Sequence, residues 1–183
     1  IDGLYWSIRL GGQAVLGGTE AALALAAKAL PSIEKGSYQF PLRLPLHSAF
    51  HTPHMKPTSN LATEALTGLR WTSPRVTMID GLGRTHSPYS SQPTELRDYT
   101  LGPQVHDIFD LTLCIRTALR SLGPDVVILP GPGSNLGSAV AQGMIQEGWA
   151  GINTRDDFVA RQNTDPILLS MRWPDQRALA VGQ

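Results

Sequence analysis

The chain has 183 residues, enough to bury one real core or to divide into one large and one small subdomain. With 42% apolar and 16% charged residues it reads as folded and soluble, which excludes a disordered chain. Lys plus Arg equals Asp plus Glu at 15 each, so no basic field attracts nucleic acid, and no apolar run reaches the roughly 20 residues of a membrane span.

The sequence opens with Ile1-Asp2-Gly3 and no methionine, so the expectation is a numbering that starts inside a longer gene product or after removal of an N-terminal part. Leu4 to Ile8 and Gln13 to Leu16 read as strands joined at Gly11-Gly12, a hairpin signal. Thr19 caps a helix through Ala21-Ala22-Leu23-Ala24-Leu25-Ala26-Ala27, with Glu20 near its N-terminus and Pro31 at its end. Tyr38 to Leu44 reads as a further strand, which Pro41 confines to an edge or bends. These pieces form a β-β-α-β unit that lacks an opening strand and helix.

Beyond His51 the pattern becomes longer-range α/β. Pro53 to about Leu69 predicts a helix, Val76 to Ile79 a short strand, and Gly81 to Pro93 a surface loop. Glu95 to Tyr99 predicts a turn or two of helix. Val105, Ile108, Phe109, Leu111, Leu113, Ile115, Ala118, Leu119 and Leu122 predict one long amphipathic helix from Val105 to Leu122. Val126-Val127-Ile128-Leu129 is an unbroken apolar run, as in a strand covered on both faces of a parallel sheet. A Pro130-Gly131-Pro132-Gly133-Ser134-Asn135 turn leads to a return helix from Leu136 to Glu147. Ala150 to Asn153, a helix near Asp156 to Gln162, Ile167 to Ser170 and Arg177 to Val181 close the chain.

Several residues offer chemistry, each beside a plainer reading. His51 stands at a strand-to-helix junction, where α/β enzymes place site residues, and a neutral imidazole there suits proton transfer to and from a nucleophile. The plainer reading is a surface or capping histidine. His47 and His54 crowd the same segment, but His-x3-His-x2-His across a turn lacks regular metal-ligand geometry. His106, Asp107 and Asp110 open the predicted long helix; His106 and Asp110, four apart on one face, could bind a metal or pair with each other, while the plainer reading is acidic residues complementing the dipole. Gly131-Pro132-Gly133-Ser134-Asn135 lacks the lysine of a phosphate-binding loop and reads as connectivity. Arg155-Asp156-Asp157 reads as a solvated helix start, and the four tryptophans as core or interface. Cys114, the single cysteine, rules out an internal disulfide and reads as a buried inert thiol. With no visible signal peptide, a reducing cytoplasmic setting is expected. No Gly-x-Ser-x-Gly elbow occurs. The nearest string, Gly133-Ser134-Asn135-Leu136-Gly137, has its serine one position too early.

Taken in order, four segments resemble the C-terminal part of a malonyl-CoA:acyl-carrier-protein transacylase or polyketide-synthase acyltransferase domain. They are Gly12-Gln13-Ala14-Val15-Leu16-Gly17-Gly18, Leu44-Pro45-Leu46-His47-Ser48-Ala49-Phe50-His51-Thr52-Pro53-His54-Met55, Leu101-Gly102-Pro103-Gln104-Val105, and Leu129-Pro130-Gly131-Pro132-Gly133-Ser134-Asn135-Leu136. The similarity spans roughly residues 4 to 145.

The resemblance implies an α/β fold, part of an α/β-hydrolase-like large subdomain plus an incomplete ferredoxin-like small subdomain. Residues 1–45 would be the later part of the small subdomain and 46–183 the C-terminal part of the large one. It implies transfer of a malonyl group from coenzyme A to an acyl carrier protein through a serine acyl-enzyme, in fatty acid or polyketide biosynthesis. His51 would be the catalytic base, oriented by a backbone carbonyl from Tyr99, Thr100 or Leu101. Ser48-Ala49-Phe50-His51 resembles the His-Ala-Phe-His form of malonyl-selective enzymes, so Phe50 and Ser48 would line the acyl site and favour malonyl over methylmalonyl. No metal and no resident cofactor is implied, coenzyme A entering as a substrate thioester. The serine in Gly-x-Ser-x-Gly, the oxyanion donors and the carboxylate-binding arginine would come from an N-terminal part, cleaved or on a separate chain. The other reading of the same pieces is a non-catalytic binding or scaffold module derived from that fold.

Overall fold

The backbone at Gly11 has φ +61°, and the chain reverses there between β1 (Leu4–Leu10) and β2 (Gln13–Gly18). Thr19 ends the second strand by capping: its hydroxyl oxygen accepts from the Ala22 amide at 3.2 Å and starts α1 (Glu20–Ala29). The computed structural model describes residues 1–45, 47–133 and 135–182. Leu46 of the histidine segment and Ser134 of the Gly-Pro-Gly turn therefore lie outside the described residues.

The strand expected from Tyr38 to Leu44 is shorter and pairs elsewhere. β3 (Ile33–Lys35) and β4 (Tyr38–Phe40) form a separate antiparallel hairpin, with Ile33 opposite Phe40 and Lys35 opposite Tyr38. Pro41 and Pro45 supply no amide hydrogen, and residues 41–45 form no strand. After a 3-10 turn at Pro53–Met55, α2 (Lys56–Ala65) stops short of the expected Leu69. The strand expected from Val76 to Ile79 is β5 (Met78–Ile79), and it pairs with β6 (Thr85–His86), which lies inside the stretch expected to be loop. The carboxylate of Asp80 holds that turn: it accepts the amides of Leu82 and Arg84 and the Arg84 guanidinium at 2.8 Å. Gln92 and Glu95 then start α3 (Pro93–Leu101), the Gln92 amide donating to the Glu95 carboxylate.

The long helix expected from Val105 to Leu122 is broken. α4 (Pro103–His106) is a single turn, β7 (Phe109–Asp110) is extended, and α5 (Leu111–Leu122) follows. Two acidic residues make the break. Asp107 is extended and its carboxylate meets Nδ1 of His106 at 2.9 Å, while the Asp110 carboxylate accepts from the Leu113 amide at 2.8 Å as the cap of α5. His106 and Asp110 therefore share no helix face. In the first sheet β1 lies between β2 and β7, so the third strand beside the hairpin comes from this interruption.

The rest of the chain alternates strand and helix: β8 (Val127–Leu129), α6 (Gly137–Gln146), α7 (Arg155–Thr164), β9 (Leu168–Ser170) and α8 (Pro174–Ala180). β8 and β9 are parallel, with Val127 beside Leu168 and Leu129 beside Ser170. β9 is buried throughout, but Ile128 of β8 is 41% exposed, so the expectation of cover on both faces fails at that residue. The segment from Ala150 begins inside a 3-10 turn, and Arg177 lies in a helix. Thr154 and Asp157 cap α7 reciprocally, and the Asn153 amide bond to Asp157 leads the contacts that lower that carboxyl below its ordinary value.

Contacts divide the chain into two compact units. The first holds Ile1–Arg9, Ala14–Met78 and His86–Phe109; the second holds Leu10–Gln13, Ile79–Thr85 and Asp110–Gln183. Residue 45 is an edge of neither. The core of the second unit joins Ile115 and Leu119 of α5 to Val140 and Met144 of α6 and to Ile152, Ile167 and Leu168. Gly143 permits that approach, because a Cβ there would sit 2.6 Å from Cγ2 of Ile115. The first unit buries little apolar bulk beyond Ala22, Ala26, Tyr99 and Leu101, and it leaves Leu25, Ile33 and Tyr38 more than half exposed.

Cys114 lies half-buried on α5, and its thiol donates to the Asp80 carbonyl at 2.9 Å. Burial pushes its pKa up from 9.0 to about 11, because desolvation penalises the thiolate. The folded value lies above the unfolded one, so the thiol's contribution to stability is complete below pH 9.0 and is lost as pH rises through about 11. Iodoacetamide should accordingly label the native chain at pH 8 far more slowly than the urea-unfolded chain. Equal rates in the two states would contradict the burial effect.

Candidate active site around His51

The site grows from an irregular turn. His51 has φ +55°, the left-handed region, which for a residue with a Cβ costs about 1–3 kcal/mol. A conformation of that kind persists only where the surroundings over-determine it. Here they do. The His51 amide donates to the Val105 carbonyl at 3.1 Å, and the imidazole Nδ1 lies 2.8 Å from the Gln104 carbonyl. On the same turn the Thr52 hydroxyl donates to the Ala49 carbonyl at 2.6 Å, and the Ser7 hydroxyl of β1 donates to the Phe50 carbonyl at 2.7 Å. At about 0.5–1.5 kcal/mol net for each such bond, four together match or exceed the backbone cost.

The acceptors have a simple origin. α4 is one turn long, so its last carbonyls find no partner within the helix, and those of Gln104 and Val105 are taken by His51. The orienting carbonyl is therefore that of Gln104, correcting the expectation of Tyr99, Thr100 or Leu101. The Leu101 carbonyl is already bonded to the buried Ser59 hydroxyl.

This contact fixes the tautomer. A carbonyl only accepts, so Nδ1 carries the hydrogen and the lone pair of the neutral ring lies on Nε2. Phe109 packs against one side of the ring, with centroids 5.4 Å apart and planes inclined at 42°. The ring is half-buried, and among the described residues no hydroxyl or thiol is hydrogen-bonded to Nε2. Such an imidazole is placed to take a proton from a group arriving at Nε2.

The other predicted residues share the turn or leave it. Ser48 and Phe50 are both exposed beside His51, and the Phe50 amide donates to the Ser48 carbonyl at 2.8 Å. His47 lies edge-on to the Phe50 ring at 6.5 Å. His54 points elsewhere, with Nε2 at 3.1 Å from the Gly3 carbonyl and its ring edge-on to Tyr5. The three histidines therefore do not converge, and among the described residues no group of three His, Cys, Asp or Glu side chains could hold a metal ion. A pocket of about 230 Å³ in the second unit is lined by Leu129, Phe158, Ser170, Trp173 and Gln176 among others, and none of the predicted site residues lines it.

Sequence reasoning missed Gln104, Ser7, Thr52 and Gly17. Thr52 is wholly buried and Ser7 nearly so. A Cβ on Gly17 would sit 2.8 Å from Cγ2 of Thr52, so the glycine of the Gly12-to-Gly18 motif is the space the histidine turn occupies.

No family model matches the chain. Over 141 residues it is 27% identical to a highly reducing polyketide synthase of Emericella nidulans, an alignment covering 70% of this chain and 5% of that protein. Its fold matches an acyl-carrier-protein S-malonyltransferase of Burkholderia pseudomallei with TM-score 0.72 and 20% identity, covering 98% of this chain and 50% of that one. It also matches the acyltransferase domain from the second module of the salinomycin polyketide synthase, with TM-score 0.62 and 21% identity over 94% of this chain and 34% of that one. The chain thus has the mixed α/β acyltransferase fold and resembles the C-terminal part of a malonyl-CoA:acyl-carrier-protein transacylase. It spans about half the length of the S-malonyltransferase it matches.

Proposed function

We propose that this chain is the histidine-bearing part of an acyltransferase that moves a malonyl group from coenzyme A to an acyl carrier protein. The observation that carries the reading is the His51 turn, in which the Gln104 carbonyl holds Nδ1–H and leaves the lone pair of the neutral ring on Nε2. His51 is the base; the nucleophilic serine, in Gly-x-Ser-x-Gly, belongs to an N-terminal part of the same protein. Residues 1–45 continue that protein's small subdomain and 46–183 its large one. The exposed Ile33, Tyr38 and Ile128 support a companion segment, because open apolar edges otherwise aggregate.

The proton balance is closed by one nitrogen. Nε2 takes the serine hydroxyl proton as the oxygen attacks the malonyl thioester, the carbon–sulfur bond breaks, and the proton passes to the departing coenzyme A thiolate. In the second half Nε2 deprotonates the carrier-protein thiol, sulfur attacks the serine ester, and the proton returns to the serine oxygen. Phe50 and Ser48 border the acyl group, Phe50 crowding an α-methyl substituent; one methyl is worth only about 1–3 kcal/mol of selectivity. No resident cofactor enters these steps, coenzyme A arriving as a thioester, and neither nucleic acid nor a membrane takes part. The reaction belongs in the cytoplasm, and no helix among the described residues is long and apolar enough to cross a membrane.

The test is reconstitution. The chain is mixed with the N-terminal part of the same protein and malonyl-CoA, and both polypeptides are weighed by intact-mass spectrometry before and after a carrier protein is added. Acylation of the companion chain that depends on this one, followed by transfer to the carrier, is expected. A companion equally acylated without this chain would leave the scaffold reading in its place.

A further inference from the structure

We propose that Ser7 and Thr52 are positioning residues for His51, acting as paired buried clamps on the two carbonyls that precede it. The inference rests on the reading of His51 as base and adds how its geometry is kept. The Phe50 carbonyl belongs to the peptide bond leading into His51, and the Ser7 hydroxyl grips it from β1 at 2.7 Å. The Ala49 carbonyl lies one residue earlier, and the Thr52 hydroxyl reaches back across the turn to it at 2.6 Å. The Thr52 bond therefore spans the left-handed residue within the turn, and the Ser7 bond ties the peptide leading into it to β1. Both donors are shielded from water, Ser7 being 4% and Thr52 0% exposed, so deleting either hydroxyl removes a donor from the inner side of the turn.

Gly17 completes the clamp by its missing side chain. It stands on β2, and only hydrogen leaves room there for the Thr52 methyl and for Ala49. The floor of the turn is thus made by the first hairpin and its walls by α4, whose carbonyls hold the amide and Nδ1 of His51. Removing a clamp frees the peptide planes before His51 to rotate out of the left-handed region, and the imidazole then swings away from the Gln104 carbonyl. Loss of that acceptor removes the preference for hydrogen on Nδ1.

The readout is the imidazole tautomer, measured on the 15N-labelled chain by long-range proton–nitrogen NMR across a pH series, on the neutral-ring signal. His51→Gln assigns the signal among the five histidines. The unaltered chain should show His51 with hydrogen on Nδ1 alone. Ser7→Ala and Thr52→Val, each made singly, should raise the Nε2–H population severalfold, Thr52→Ser should restore the original pattern, and Gly17→Ala should act like Thr52→Val. His86, which lies in the same unit with its ring 6.2 Å from that of Tyr99, should keep its signal in every variant. Unchanged His51 nitrogen shifts in both Ser7→Ala and Thr52→Val would overturn the proposal, as would Thr52→Ser behaving like Thr52→Val. If Thr52→Val loses amide dispersion, Ser7→Ala decides alone, since it deletes one oxygen and adds no bulk. No substrate or companion chain is needed, so this result stands or fails separately from transfer activity.

Discussion

Exchanging His51 for alanine is expected to reduce malonyl transfer in the reconstituted enzyme by about 10²–10⁴-fold, the usual contribution of a positioned general base. The loss should fall on the serine acylation step and on the carrier-protein step alike, because one nitrogen moves the proton in both. Binding of malonyl-CoA should change little, since the thioester makes its base contact only as charge develops in the transition state. His54→Ala is the matched control: it removes a neighbouring imidazole whose Nε2 is engaged with the Gly3 carbonyl. Transfer within tenfold of the unaltered protein after His51→Ala would remove His51 from the reaction.

The second large effect concerns stability. Met144 is fully enclosed, among Ile115, Leu119, Val140 and Ile152. Met144→Ala should destabilise the second unit by about 2–5 kcal/mol, the transfer energy of the lost side chain plus that of the cavity left behind. Urea denaturation followed by tryptophan fluorescence reads it, because Trp149 packs against this core. A loss below about 1 kcal/mol would mean that α5 and α6 collapse into the gap. The effect of His51→Ala on the same curve should be small by comparison, because it leaves the backbone clamps on the turn in place.

How far the chain could be read without coordinates depended on whether the signal was local. Thr19 as a helix cap, the Gly11-Gly12 reversal and the apolar face of α5 are short-range matters of hydrogen-bond chemistry and periodicity, and each was legible. The interruption of the long helix was not. Ile108 and Phe109 keep the apolar spacing through the break, so periodicity continues where the backbone does not, and only the capping by Asp107 and Asp110 reveals the boundary. That misreading hid the site, since a continuous helix would have spent the Gln104 and Val105 carbonyls on its own next turn.

The same division runs through the candidate site. Sequence alone determined that His51 is the residue to examine, that it follows a turn ahead of Pro53, and that no Gly-x-Ser-x-Gly nucleophile accompanies it. Residue identity and order carry that information. Tertiary structure decided which carbonyl orients the ring, which nitrogen keeps its lone pair, and which buried hydroxyls hold the turn. The contacts from Ser7 to Phe50 and from His51 to Gln104 join residues 43 and 53 positions apart, while the Thr52 bond to Ala49 is local to the turn. Their partners are backbone oxygens, which every residue possesses, and so no side-chain pattern could announce them.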